Sequence, residues 1–238
     1  MKKLIVSAAV ILTSVFVLSS QNLNAQSYAS NEGWYASVAG GINVYGSEHN
    51  KELVATKLIA PAGDLAVGKW FNPYISARLS LNFLGANGAT YAYGDGGSSF
   101  IKQNSDGSPV KANEFLKNKY DGGSEWLYLQ QFYYLDIHAD IMVNVSNLFG
   151  GAKKVNKHFW NACPYVGLGF PKVVTYGSSE GLPLSVNAGL YNAFAVNDKI
   201  DVIAEIRGAI LDEGFDGEVG GRKLEGHAGM TFGICYKF

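Results

Sequence analysis

The sequence is poor in cysteine, proline and charge, and each shortage excludes a class of protein. Its 238 residues include only 2 Cys and 6 Pro. Two cysteines are too few for a disulfide scaffold or for the common zinc sites with four cysteine ligands. Charged residues make up 16% of the chain, whereas about a quarter is usual for a soluble domain. The net charge of -1 lacks the positive excess that nucleic-acid binding requires, so we expect no nucleic-acid partner.

Glycine and aromatic residues are abundant instead. The chain contains 29 Gly, and aromatic residues reach 13%. Its apolar fraction of 47% is too high for a disordered chain. Few charges, many aromatics and much glycine together indicate β-structure that faces something other than water.

The first 25 residues are predicted to be a signal peptide. Lys2 and Lys3 precede an uncharged run over 4–18, and a polar stretch ends at Ala25. This order of basic, apolar and small residues is typical of secretory signals, and the run is shorter than the ~20 residues of a spanning helix. We therefore expect cleavage after Ala25, a short lead over 26–33 and one barrel over 34–238.

Alternation of apolar and polar residues predicts eight strands in the rest of the chain. In the third strand, for example, Leu79 and Leu81 alternate with Arg78 and Ser80. A helix would scatter such polar residues around its axis instead of collecting them on one side. Period-two patterns cover residues 34–45, 62–71, 74–84, 126–145, 161–170, 183–195, 199–211 and 224–238.

The connections alternate between short and long. Tight turns are predicted at Asn72-Pro73 and Asn197-Asp198. Short turns on one rim and long loops on the other are typical of outer-membrane barrels. The connection over 146–160 is an exception, since it is too long for a minimal periplasmic turn. The long loops cover 46–61, 85–125, 171–182 and 212–223.

The distribution of small and aromatic residues decides which face points outward. The alternative is a soluble periplasmic barrel, in which the apolar residues of each strand would point inward and the polar ones outward. Here the polar parity carries small residues suited to a cramped interior, namely Gly41, Gly68, Gly167, Gly169, Gly189, Gly229 and Gly233. The apolar parity places Trp34, Trp160, Tyr236 and Phe238 near strand ends, where aromatic girdles meet lipid headgroups. The predicted fold is therefore all-β, an eight-stranded antiparallel up-and-down transmembrane β-barrel.

The last nine residues resemble the C-terminal signature of outer-membrane β-barrels. Phe232, Ile234, Tyr236 and Phe238 alternate there and end the chain on phenylalanine. Other stretches, over 70–75, 144–151 and 164–170, are similar to those of OmpA-like and OmpX-like small barrels of Gram-negative bacteria. The resemblance implies residence in the cell outer membrane, contact with outer-membrane lipid, and a terminal signature read by the barrel-assembly machinery. The peptidoglycan-binding domain of OmpA does not follow residue 238, so we expect no cell-wall tethering.

The polar parity would also bring charged side chains into one lumen: Arg78, Asp136, His138, Asp140, Glu205, Arg207, Glu225 and His227. Because strands three and four are neighbours, Arg78 is expected to pair with Asp136 or Asp140. Buried ions need partners, and eight strands leave just enough room for side chains. We therefore expect a filled polar lumen and a structural or surface-interaction role. The alternative is a narrow channel for ions or small solutes, in which charged pairs exchange partners.

A lipid-modifying enzyme is the third hypothesis. Glu225 and His227 lie towards the outer rim and could act as orienter and base. Strand alternation, however, places both in the lumen and away from lipid. His138, between Asp136 and Asp140, suggests a metal or acid–base cluster, but such a histidine is more often simply hydrogen-bonded. We expect no catalysis, no cofactor and no metal site.

The two cysteines are expected to remain unpaired. Cys163 and Cys235 both fall on the inward parity near the periplasmic rim. Their strands are three steps apart at ~4.8 Å per step, which separates the backbones beyond the ~7 Å limit for a disulfide. We predict two free, buried thiols.

The loops offer further hypotheses. Loops 85–125 and 212–223 could bind an extracellular ligand, since loops on a rigid scaffold often carry function. The latter holds Asp212, Glu213, Asp216 and Glu218, which could gather calcium, but they do not fit the calcium-hand spacing. A solvated acidic loop is the preferred interpretation. In the connection over 146–160, a solvated turn is also preferred for the basic residues Lys153, Lys154, Lys157 and His158.

Overall fold

The fold is a closed β-barrel, seen in a computed structural model of the chain. The structure describes residues 33–46, 49–91, 100–112, 115–116, 127–150, 158–175, 183–212, 215–216 and 224–238. The predicted signal peptide and nearly all of the predicted lead lie outside these residues.

Eight strands form one antiparallel sheet, in which each strand pairs with the next and the last closes on the first. This confirms the predicted fold. The strands are β1 (Trp34–Gly46), β2 (Ile59–Trp70), β3 (Ile75–Tyr91), β4 (Leu127–Val143), β5 (Trp160–Val173), β6 (Ser185–Ala195), β7 (Ile200–Asp212) and β8 (Leu224–Lys237).

In the described residues, helical structure is short and lies in the connections. Two 3₁₀ turns, Asn50–Glu52 and Ala55–Lys57, follow β1, and one α-helix, α1 (Val145–Gly150), follows β4. Within the described ranges, no helix is long and apolar enough to cross a membrane.

The barrel is apolar outside and polar inside. On β3, Arg78 is 5% exposed and Ser80 is 3% exposed, whereas the alternating Leu79 is 52% exposed. On β8, Phe232 is 59% exposed next to Thr231 at 1%. Burying the polar parity and exposing the apolar one is the pattern of a barrel surrounded by lipid.

Several strand boundaries differ from the predictions: β2 begins three residues earlier, at Ile59, and β5 ends three residues later, at Val173. β3 extends to Tyr91, so the prediction that the outer loop begins at residue 85 was wrong. Residues 85–91 show no apolar alternation, yet they pair with β4 from Gly85–Tyr133 to Tyr91–Leu127. The predicted fourth strand is too long at its other end, because Val145 begins α1.

The two tight turns are built by asparagine, as predicted. The Asn72 side-chain oxygen accepts hydrogen bonds from the backbone N–H groups of Tyr74 and Ile75. The Asn197 oxygen does the same for Lys199 and Ile200. Each side chain imitates a backbone turn, which allows the strands to reverse within four residues.

Inward-facing glycines are required by close packing of the lumen wall. A Cβ atom at Gly189 would lie 2.5 Å from the Ile206 carbonyl oxygen and 2.6 Å from the Tyr165 hydroxyl. The outward-facing Gly40 is different, since its nearest neighbour would be 3.8 Å away. The inside of the wall at Gly189 therefore has no room for a side chain, whereas the outside at Gly40 has.

This contrast predicts opposite effects of the same substitution. Gly189→Ala should destabilise the barrel by about 1–3 kcal/mol, because a backbone oxygen cannot move aside cheaply. Gly40→Ala should leave stability unchanged within about 0.5 kcal/mol. The measurement is urea unfolding in lipid vesicles, followed by the gel-mobility shift on boiling. Equal stability of the two variants would contradict the packing argument.

Candidate functional site: the closed lumen

The centre of the lumen is held by a buried ion cluster around Arg78. Its Nε donates to Asp140 Oδ2 at 2.9 Å, and its Nη1 donates to Glu205 Oε2 at 2.7 Å. Of the two partners that the sequence left open, Asp140 is therefore the one that binds Arg78. The strand register explains the choice, because Arg78 lies opposite Asp140 while Asp136 lies opposite Asn82.

Two tyrosines enclose this cluster. The Arg78 guanidinium lies 4.5 Å from the ring centre of Tyr165 and 5.5 Å from that of Tyr191. The Tyr165 hydroxyl also donates to Glu205 Oε1 at 2.5 Å. Cation–π contacts and a charge-assisted hydrogen bond therefore supplement the ion pairs.

His138 extends the cluster along β4. Its Nδ1 is 2.7 Å from Asp140 Oδ1, and its Nε2 is 2.8 Å from the Asn82 amide nitrogen. An amide nitrogen only donates, so Nε2 accepts and Nδ1–H donates to Asp140. His138 is a hydrogen-bonded member of the network, consistent with the interpretation preferred from sequence.

Arg207 has a partner that sequence reasoning missed. Its Nη1 donates to Asp64 Oδ1 at 2.5 Å and to Asn82 Oδ1 at 3.0 Å. Asp64 shares the parity of Gly68 on β2, and this signal could have identified it as a lumen residue. Arg207 Nε and Nη2 are buried and have no hydrogen-bond partner among the described residues.

Asp136 belongs to a separate polar group. Both its oxygens accept from the Ser185 hydroxyl, at 3.0 and 3.1 Å. Ser185 in turn accepts from the Asn187 amide at 2.8 Å. Asp136 is fully buried, but its stabilisation comes from neutral donors.

The long-loop end of the lumen, predicted to be extracellular, is filled by an aromatic plug, formed by Tyr45, Phe100, Phe132, Tyr134 and Phe215. These side chains are at most 3% exposed. Ring centres are 5.3 Å apart for Tyr45–Phe132 and 4.9 Å for Phe100–Phe132. Phe100 and Phe215 come from the connections after β3 and β7, so these two loop residues pack into the barrel mouth.

Glu225 and His227 lie beside this plug. The Tyr45 hydroxyl donates to Glu225, and the Tyr134 hydroxyl is 2.8 Å from His227 Nδ1. Each member of the proposed base–orienter pair is therefore engaged by a different tyrosine.

The short-turn end, predicted to be periplasmic, contains both cysteines. Cys163 and Cys235 are free and buried, which confirms the prediction. They line a cavity of about 20 Å³ together with Tyr191, and a cavity of this size accommodates about one water molecule. The Lys237 ammonium pairs with Asp201 at the same level.

The described part of the loop after β3 forms a hairpin on the outer edge of β4. Lys102 N donates to Leu129 O at 2.8 Å, and Leu129 N donates to Val110 O at 2.9 Å. At the exposed tip, Asp106 accepts hydrogen bonds from the Ser108 hydroxyl and backbone N–H. These bonds lower the pKa of the Asp106 carboxyl, because they stabilise its charged form.

The loop after β7 is described only in part. Asp216 is buried, and its carboxylate accepts from the Gln130 amide at 3.1 Å. Glu213 and Glu218, two residues of the calcium hypothesis, lie outside the described residues, as do Lys153, Lys154 and Lys157. Where the chain is described, no three His, Cys, Asp or Glu side chains are grouped as metal ligands.

Several solved structures are similar to this chain in fold. Neisserial surface protein A matches with a TM-score of 0.50 and 11% identity, over 87% of this chain and 97% of its own. Ail of Yersinia pestis, solved in complex with the heparin analogue sucrose octasulfate, has a TM-score of 0.44 and 13% identity, over 87% and 99% of the two chains. For the N-terminal β-barrel domain of Pseudomonas aeruginosa OprF, these values are 0.43, 11%, 87% and 98%.

No protein-family model matches this sequence, and no curated protein does either. The fold and the inside-out distribution of polarity together define the class. The chain is an outer-membrane β-barrel protein whose eight-stranded fold is similar to that of Neisserial surface protein A.

The central cluster predicts a large effect of removing its cation. Arg78→Gln should destabilise the barrel by about 3–5 kcal/mol, because Asp140 and Glu205 remain buried without their partner. Adding Glu205→Gln should recover part of this loss, since one uncompensated charge disappears. Urea unfolding in vesicles measures both effects.

The matched control is Lys172→Gln, at an exposed position on the outer wall. It should change stability by less than about 1 kcal/mol. If Arg78→Gln were as stable as the control, the cluster would not hold the lumen together.

Proposed function

We propose that this protein is a non-enzymatic outer-membrane scaffold with a closed lumen and a structural or surface-interaction role. The observation that supports this proposal is closure at three successive levels. The aromatic plug fills the extracellular end, the Arg78 cluster fills the centre, and Tyr35, Tyr191 and the two cysteines fill the periplasmic end.

Closure is stable because moving any charged member of the cluster leaves its partner buried. Arg78 contacts two carboxylates at once, with 3% of its side chain exposed. Separating such a pair in a low-dielectric lumen costs several kcal/mol. A lumen of this kind is suited to holding the wall together rather than to passing solutes.

The extracellular end offers a rigid surface for recognition. β3 and β4 stay paired for seven residues from Gly85 to Tyr91, which corresponds to roughly 20 Å of strand. The hairpin over 100–112 adds to this sheet, and Leu53 from the first loop packs against it with no exposure. Exposed residues on a rigid scaffold are the usual location of binding surfaces.

A non-enzymatic role is supported by the contacts of Glu225 and His227, the two residues considered above as a catalytic pair. Glu225 and His227 are each bound by a tyrosine within the plug. Both are at most 5% exposed, so a lipid substrate would have to displace the plug to reach them.

The terminal strand is the proposed signal for the barrel-assembly machinery. The side chains of Phe232, Ile234, Tyr236 and Phe238 are 59%, 53%, 41% and 69% exposed along one face of β8. This face is an apolar, aromatic edge that a membrane-inserting partner can recognise before β8 closes against β1.

A narrow channel is the second candidate function, and the hydrogen bonding of the Arg207 guanidinium supports it. Its Nε and Nη2 lack partners among the described residues, and Glu205 lies within electrostatic reach of it. Glu205 could therefore leave Arg78 and pair with Arg207, which would open the central layer. Since Asp64, Asp136, Asp140, Glu205 and Glu225 outnumber the two lumen arginines, such a channel would prefer cations.

Planar-bilayer conductance separates these two candidates. For the scaffold, we expect the refolded wild type and Arg78→Ala both to be silent, because the aromatic plug remains. The gel-mobility shift must confirm that each form is folded. Stable single-channel steps that Arg78→Ala enlarges, with a reversal potential favouring cations, would overturn the closed lumen in favour of the channel.

Surface display of the hairpin can be tested in cells. A short epitope replacing 104–108 should be labelled by antibody on intact cells, because this hairpin pairs with the end of β4 that lies opposite the short turns. The same epitope at Asp198 should be labelled only after the outer membrane is permeabilised. Labelling of both positions in intact cells, or of neither, would contradict the proposed orientation.

A further inference from the structure

The connection between β4 and β5 presents an apolar surface on the short-turn rim. We call Leu148, Phe149, Phe159 and Trp160 the rim patch. Their exposures are 53%, 91%, 75% and 51%. Phe149 has the highest exposure recorded for a large apolar side chain in the described part of the chain.

The polar side of α1 is fastened to the barrel rim. The Asn147 amide donates to the Pro73 carbonyl oxygen at 2.6 Å, and the Ala162 N–H donates to the Ser146 hydroxyl at 2.9 Å. Asn144 caps the helix by accepting from Asn147 N at 3.1 Å. α1 is therefore held at two neighbouring positions of the rim and cannot turn its apolar side inward.

Both ends of this connection come together. A Cβ atom at Gly150 would lie 3.0 Å from the His158 ring, and His158 directly precedes Phe159. The Phe159 backbone is hydrogen-bonded to Ala195 of β6, and its ring lies 6.1 Å from that of Phe194. Leu148 and Phe149 thus belong to the same region of the rim as Phe159 and Trp160.

We propose that the rim patch is an interfacial anchor that lies in the phospholipid headgroup–acyl boundary of the periplasmic leaflet. The turns and termini of an outer-membrane barrel lie on the periplasmic side, and α1 shares its rim with the turns at Asn72 and Asn197. A short helix with one apolar side and one polar side lies in the plane of such a boundary.

Continuity with the lipid-facing wall favours lipid over another occupant. Trp160 opens β5 on its outward parity, and the adjoining turns expose Phe71 at 50% and Val196 at 62%. The rim patch therefore extends a girdle of apolar side chains that already faces the membrane. The intervening sequence also contains Lys153, Lys154 and Lys157, whose charge complements anionic phospholipid headgroups.

The test places a bimane fluorophore on Phe149→Cys in the full refolded chain. The vesicles contain brominated phosphatidylcholine, which quenches from the acyl region, and phosphatidylglycerol; iodide quenches from water. The wild type gives the labelling background, because its two cysteines are buried. The gel-mobility shift confirms that each labelled variant is folded.

Two further positions calibrate the result. Leu168→Cys, 55% exposed on the outer wall, is the lipid reference, and Asp198→Cys, in an exposed turn on the same rim, is the water reference. The label at Phe149 should be quenched by the brominated lipid within about twofold of Leu168, and by iodide at least about threefold less than Asp198.

Two outcomes would overturn the anchor. Quenching by iodide as at Asp198, without quenching by the brominated lipid, would place the rim patch in the aqueous periplasm. Protection from both quenchers would instead indicate that protein covers the patch, either a second copy of the chain or another partner.

Discussion

Each charged side chain that points into this barrel needs an ionic or hydrogen-bonding partner inside the lumen, because the lumen is only wide enough for side chains. Eight strands close the wall and satisfy the backbone, but they leave no water layer to solvate an isolated ion. Arg78 therefore binds Asp140 and Glu205 together, and Arg207 binds Asp64. These contacts connect β2, β3, β4 and β7, so the wall is braced from within as well as by its ladder of hydrogen bonds.

The same lack of space determines the residues around the ions. Large side chains such as Tyr165 and Tyr191 fill the lumen, and they fit only where the facing wall has no side chain. Gly68 and Gly189 provide such places beside Tyr35 and Tyr165. Small and large residues therefore alternate around the inside of the wall, and the described side chains pack closely along the lumen.

Much of the fold could be predicted from the sequence, because alternate residues of a membrane-barrel strand face lipid and lumen and are therefore apolar and polar in turn. Leu79 and Arg78 are adjacent in the chain and meet lipid and lumen respectively. Where the strand leaves the membrane, this signal disappears. Residues 85–90 face loops rather than lipid, so the continuation of β3 had no alternation to reveal it, and α1 has only six residues.

The candidate site could be predicted as a set of residues but not as a set of contacts. Parity by itself determined that Arg78, Asp140, Glu205 and Arg207 share one interior. Only the tertiary structure decided that Asp140 rather than Asp136 binds Arg78, that Asp64 binds Arg207, and that loop aromatics close the mouth. The physical reason is that parity depends on neighbouring residues, whereas these contacts depend on strand register and on distances across the barrel between residues more than sixty positions apart in the chain.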